Sequence, residues 1–225
     1  MMIEYIAVTV EDAKFIEKSG ADRIELISGL TEGGLTPSYG LIDKVVKSVR
    51  IPVNVMVRPH GQSFCYSEDD IAIMKNDIRM IQSLGVNGVV FGMLDKEGNV
   101  DFRQLEELLT EAGTMEVTFH RAIDSSSNIV ENAEKLDRYN EITTILTSGG
   151  YGEWNSRIET LLNMKAVCRN TDILIGSGLS KENIREVHEQ VGTNCYHFGT
   201  AIREDQSILK SVSLEKALEI VHTLK

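Results

Sequence analysis

Ser19-Gly-Ala-Asp-Arg-Ile-Glu-Leu26 joins the end of one regular segment to the start of another. The same joint returns twice, as Leu84-Gly-Val-Asn-Gly-Val-Val-Phe91 and as Val191-Gly-Thr-Asn-Cys-Tyr-His-Phe198. Gly20, Gly85 and Gly192 stand where a helix must stop, because glycine takes the left-handed conformation after a helix without strain. In each copy a β-like run then begins about two residues later. Working outward, eight such runs appear, each followed by a helical segment: Ile3–Val8, Asp22–Leu26, Val53–Val57, Gly88–Phe91, Met115–Phe119, Ile142–Leu146, Ile173–Ile175 and Cys195–Phe198. Apolar stripes at helical spacing (Ile71, Met74, Ile78, Ile81; Leu214, Ala217, Leu218, Val221) and candidate N-caps at Thr9, Ser67 and Ser180 support the helices. Asp12 and Asp70 follow the first two caps as short-armed capping-box partners. Pro37, Pro52 and Pro59 interrupt none of them. No linker or low-complexity tract divides residues 1–225, so one domain is expected. Its fold class is α/β, a (β/α)8 TIM barrel, with a doubly wound sheet as the other arrangement of the same order. Several strands alternate polar and apolar residues instead of running continuously apolar, which favours closure.

Composition narrows the function classes. With 34 acidic against 23 basic residues the net charge is -11, which argues against nucleic-acid or anionic-membrane partners but leaves room for a local basic pocket. No apolar run reaches transmembrane length. The N-terminus has Glu4 and no basic n-region, so no signal peptide is read there. Cys65, Cys168 and Cys195 are widely spaced and odd in number, which reads as free thiols in a cytoplasmic protein.

In a barrel the chemistry lies at the C-terminal ends of the strands. Met115-Glu-Val-Thr-Phe-His-Arg-Ala-Ile-Asp124 turns Val117 and Phe119 outward and Glu116, Thr118 and His120 inward. The same parity turns in Glu4 and Ile6, Arg23 and Glu25, Asn54, Met56 and Arg58, and Cys195 and His197. Glu4 and Arg23 come early in their strands and suit either an ion pair in the barrel floor or a catalytic role. The candidate catalytic residues are Glu25, Arg58, His120, Arg121 and Asp124, with His120 as general acid or base, Glu25 as its partner or a second proton-transfer group, the arginines as an anion clamp, and Asp124 orienting Arg121 or His120. Candidate substrate-binding residues are His197, Ser148 in Thr147-Ser-Gly-Gly150, and Ser177, Gly178, Gly199 and Thr200 in two glycine turns, Ile175-Gly-Ser-Gly-Leu179 and Phe198-Gly-Thr-Ala-Ile202. These turns fall after strands 7 and 8, the usual phosphate-binding loops of this fold, and predict a small anionic ligand. The long loops Ile27–Pro37 and Arg58–Ser67 are expected to cover the site. In the second loop, Cys65 and His60 are candidate ligands for a soft metal.

Assembled in order, the chain resembles the CutC family. The resemblance is carried by Gly20-Ala-Asp-Arg-Ile-Glu-Leu26, Glu32-Gly-Gly-Leu-Thr-Pro-Ser38, Arg58-Pro-His-Gly61, Phe64-Cys-Tyr-Ser67, Gly98-Asn-Val-Asp101, Thr118-Phe-His-Arg-Ala-Ile-Asp124 and Ile145-Leu-Thr-Ser-Gly149. It implies a TIM barrel, a cytoplasmic and commonly homo-oligomeric protein, and a role in copper homeostasis through Cu(I) binding or tolerance. One departure stands out. Members proposed to bind copper carry cysteines near the ends of strands 1 and 2, where this chain has Ile6-Ala7 and Ile27; of the motif cysteines only Cys65 remains. Three readings follow: a copper-handling protein, an isomerase, epimerase or lyase acting on a phosphorylated or carboxylated metabolite, and a site for Mg or Mn held by Glu4, Glu25 and His120.

Overall fold

The computed structural model describes residues 1–225. Eight parallel strands close in sequence order: β1 Met2–Ala7, β2 Arg23–Leu26, β3 Val53–Met56, β4 Gly88–Phe91, β5 Glu116–Phe119, β6 Ile142–Thr147, β7 Asp172–Ile175 and β8 Cys195–Phe198. β1 pairs with both β2 and β8, so the barrel has no edge and the doubly wound alternative falls. A helix follows every strand: α1 Val10–Ser19, α2 Tyr39–Val46, α3 Glu68–Ser83, α4 Phe102–Ala112, α5 Ile129–Leu136, α6 Trp154–Val167, α7 Ile184–Val191 and α8 Leu214–Leu224.

Parity along the strands sorts the core into two layers. Val55, Val89, Phe91, Val117, Phe119, Tyr196 and Phe198 face outward and pack under the helices in the main core. Inside the barrel the apolar content is small: Ile6, Ile27, Met56 and Val90 form one group, and Leu146, Leu174 and Cys195 another. The rest of the interior is polar. Between β5 and β6 the register shifts at Val117/Thr118, which pairs Thr118 with Thr144.

The repeated joint behaves as its residues dictate. Gly20 and Gly192 end α1 and α7 in the left-handed region, at φ 80° and 65°. The polar residue that follows ties neighbouring strands together: Asp22 accepts from the Ile3 amide, and Asn87 bridges Asn54 and Glu116. Ser67 and Asp70 form a complete capping box on α3. Two expected caps are corrected. Asp12 follows the Thr9 cap, but its carboxylate accepts from Val8 and Val212 amides and from Arg203, not from Thr9. Ser180 caps only a turn, by accepting from the Glu182 amide, and α7 starts later, after Asn183.

Candidate active site

At the C-terminal end of the strands lies a cavity of about 440 Å³. Glu25, Arg58, His120, Arg121, Ser177, Gly178, His197, Gly199 and Thr200 all line it, so nine of the expected site residues meet in one place. Ile6, Ile27, Met56, Leu146 and Leu179 supply apolar wall. The β2–α2 loop adds Leu30, Glu32 and Gly33, and the β3–α3 loop adds Phe64, so both long loops cover the site.

The floor is a connected charge network. Glu4 and Arg23 are register partners on β1 and β2, and Glu4 pairs with His197 on β8. Arg23 Nε donates to Glu4 Oε2 at 2.5 Å, and His197 Nδ1 lies 2.7 Å from Glu4 Oε1. His197 Nε2 reaches toward Glu25 Oε2 at 3.7 Å. Burial alone would raise the Glu4 carboxyl, but Arg23 and His197 outweigh it and hold it down at about 2. Burial likewise opposes charge on His197, and Glu25 with Glu4 reverses that and holds the imidazole above its ordinary value. For Glu25 the compensation falls short. Burial, with Glu4 adding repulsion, pushes its carboxyl to about 7 against the pull of His197 and Arg23. Its Oε1 is buried and accepts no hydrogen bond.

Across the cavity stands His120, which follows β5 and caps the short helical turn Arg121–Ser125 with its own ring. Burial, then the nearby Arg58 guanidinium, drives its pKa down to about 3, so the ring is neutral at any working pH. Phe64 packs against both residues, its ring 4.8 Å from the Arg58 guanidinium carbon and 5.1 Å from the His120 ring centre. Arg58 Nη1 donates to the carbonyls of Glu32 and Gly34, which fastens the β2–α2 loop over the site.

Asp124 and Ser148 do not line the cavity; they stand behind it. Asp124 is a buried acceptor for Thr147 Oγ1 at 2.5 Å, Ser148 Oγ at 2.7 Å, the amides of Ser148 and Gly150, and Arg121 Nε at 2.8 Å. It therefore positions Arg121, as expected, but leaves His120 alone. Arg157, which sequence reading passed over, joins the carbonyls of Ser148 and Ser177 and stacks on Trp154. It braces the loops after β6 and β7 against each other. Gly92 was also missed: a Cβ there would come within 2.5 Å of His120 Nδ1, so only glycine leaves room for the ring. Its one signal in the sequence was its place directly after a strand.

The proposed ligand pair Cys65 and His60 is not in the cavity. Cys65 is exposed and its thiol donates to the Asp95 carbonyl, while His60 Nε2 faces Asp70 at 3.5 Å. Nor are Glu4, Glu25 and His120 gathered as a ligand set. The trio whose ligand atoms lie within 4.8 Å of one another is Glu4, Glu25 and His197. Arg23 already supplies positive charge there, and Glu25 and Glu4 favour the protonated form of His197.

Comparison with known proteins places this architecture. The model of the CutC family matches residues 1–202. A CutC family protein of Yersinia enterocolitica is 40% identical over 200 residues, covering 84% of this chain and 78% of that protein. One from Proteus mirabilis is 38% identical over 198 residues, covering 84% and 79%. A crystal structure of a Streptococcus agalactiae CutC protein, named for copper homeostasis, superposes with a TM-score of 0.82 at 27% identity, covering 88% of this chain and 98% of that one. Phosphoribosyl anthranilate isomerase from Thermotoga maritima shares the barrel, with a TM-score of 0.66 at 15% identity over 100% of this chain and 98% of the other.

Proposed function

The chain belongs to the CutC family, and from that premise we propose that its cavity is the active site of an acid–base enzyme, an isomerase, epimerase or lyase acting on a small anionic metabolite. One observation carries the proposal: Glu25, a buried carboxyl with an unpartnered Oε1, stands in the same cavity as Arg58 and Arg121, and burial pushes its pKa up to about 7. A group with that pKa exchanges a proton in either direction near neutral pH, which is what a general acid or base must do. Arg58 and Arg121 hold the substrate's carboxylate or phosphate, and the glycine turns at Ser177-Gly178 and Gly199-Thr200, which line the same cavity, suit an anion as well.

Copper, for which relatives in the family are named, does not fit the residues present. Cu(I) seeks thiolate and thioether ligands. The wall positions at the ends of β1 and β2 are the hydrocarbon side chains of Ile6 and Ile27. The three cysteines lie on separate elements, and burial pushes the Cys168 thiol up to about 12 and the Cys195 thiol to about 11, so neither offers a ready thiolate. An anaerobic Cu(I) titration against a competing chelator is expected to find no tight stoichiometric site. Tight binding lost in Cys65→Ser would restore the copper reading.

The enzyme reading is tested by a thermal-shift screen of phosphorylated and carboxylated metabolites. Stabilising hits are expected to be anions, and their effect should vanish in Arg58→Ala and weaken in Arg121→Ala. Hits that stabilise both variants as they do the unmodified protein would place the binding site elsewhere.

A further inference from the structure

We infer that the substrate is a carbonyl compound with an acidic C–H beside the carbonyl, and that His120 is a fixed, neutral hydrogen-bond donor to its oxygen, not a proton-transfer group. This rests on the acid–base reading of the cavity above and names its substrate class.

The tautomer of His120 follows from one hydrogen bond. Its Nδ1 lies 3.2 Å from the Ala122 backbone amide, which can only donate. Nδ1 must then present a lone pair, so the single proton of the neutral ring sits on Nε2. That Nε2 is buried and finds no acceptor in the protein, although His120 lines the cavity. A buried N–H without a partner is a rare and costly arrangement, and near a cavity it points to an absent ligand. The ring is also held rigidly, pressed against the bare backbone of Gly92 and flanked by Phe64 and Phe119. Arg58 and Arg121 next to it oppose a second proton on the ring.

Three unmet demands thus share one cavity. His120 Nε2–H needs an acceptor oxygen. Glu25 Oε1, equally buried and unpartnered, needs a donor or an acidic proton. Arg58 Nε, also buried and unpartnered, needs an acceptor, and its charge favours an anionic one. A carbonyl flanked by C–H, carried by an anionic molecule, meets all three. The step balances without a further reactant. The Glu25 carboxylate takes the proton from the carbon next to the carbonyl, and the C–H electron pair becomes the C=C bond of an enolate. The carbonyl π pair moves onto oxygen, where the His120 N–H holds it without being transferred. The Glu25 carboxyl then returns a proton to the same face of that carbon, giving exchange with solvent hydrogen. Where that carbon bears a hydroxyl, the hydroxyl proton passes to the former carbonyl oxygen, the hydroxyl oxygen becomes the new carbonyl, and Glu25 protonates the former carbonyl carbon, giving isomerisation.

Nitrogen NMR of the protein carrying 15N-labelled histidine tests this without the natural substrate, with His120 assigned from His120→Gln. Across the neutral range His120 is expected to show an unprotonated Nδ1 and a protonated Nε2. Adding phosphoglycolohydroxamate, a planar mimic of an enolate that carries a phosphate, should move the Nε2 proton downfield, and Arg58→Ala should weaken the probe's binding. A charged or Nδ1-protonated His120 would overturn the inference, as would bound probe that leaves Nε2 unmoved while still depending on Arg58; in both cases the acid–base reading stands. Failure of phosphoglycolohydroxamate and of every screened anion to bind would overturn both.

Discussion

Glu25 and His120 are both buried ionisable groups, yet their surroundings drive them to opposite uses. Glu25 keeps a proton that the unfolded chain would release between its ordinary 4.5 and its folded value of about 7. Through that window the folded chain binds more protons than the unfolded one, so stability falls as pH rises and then levels off. Glu25→Gln removes this contribution. The variant's melting temperature is expected to match the unmodified protein below pH 4.5 and to exceed it at pH 8 by roughly several degrees. An unchanged difference across that range would mean that Glu25 is not held protonated. Glu4 runs the other way: its carboxyl lies at about 2, so its contribution is present above 4.5 and lost as pH falls toward 2. Gly92→Ala drives a methyl into His120 Nδ1, where a Cβ would meet it at 2.5 Å. Ligand binding in that variant should weaken at least tenfold by calorimetry, with Arg58 untouched. At this scale the sequence was legible for which residues point inward, since strand parity decides that. It was not legible for what each does. His120 looked like a general acid or base, and only the Ala122 amide at its Nδ1 fixes it as a donor.

Elements were easier to read than residues because local signals set them. The capping box Ser67–Asp70 starts α3 as its spacing predicts. Ser67→Ala is expected to cost about 1 kcal/mol, a fall of roughly 2–4 °C in melting temperature, without change in ligand affinity. What stayed hidden was the clasp between distant elements. Arg203, after β8, is wholly buried and donates to Asp12 in α1, to the Ile6 carbonyl on β1 and to the Lys210 carbonyl. It locks the closing seam of the barrel next to the cavity wall formed by Ile6 and Gly199. Nothing local in the sequence joins residues so far apart, and neither residue was singled out there for this. Removing one partner of a buried pair strands the other, so Arg203→Ala should lose about 3–5 kcal/mol, on the order of 10 °C. A loss no larger than that of a surface substitution, read by thermal unfolding, would show the clasp to be incidental.

For the molecule as a whole, barrel closure turns eight short strands into one reaction vessel. Residues from β2, β3, β5 and β8 meet although the chain separates them widely, and the loops after β2 and β3 form the cover. That convergence was legible once the joint at Gly20, Gly85 and Gly192 had been seen to repeat, because the repeat implies the barrel and the barrel implies the end at which the site lies. The division between lining and support was not: Asp124 and Ser148 sit behind Arg121, and Cys65 with His60 sits outside. The family's association with copper does not carry over to the side chains of this cavity, which has carboxylate, imidazole and guanidinium groups and one thioether, Met56, but no thiol. The most direct measurement is proton NMR in D2O on an anionic carbonyl compound identified by the thermal-shift screen. The C–H next to the carbonyl is expected to exchange for deuterium at a rate proportional to protein, rising with pH through about 7 as Glu25 ionises, and to stop in Glu25→Gln. A tightly bound hit whose C–H never exchanges, or exchanges as fast in Glu25→Gln, would contradict the account.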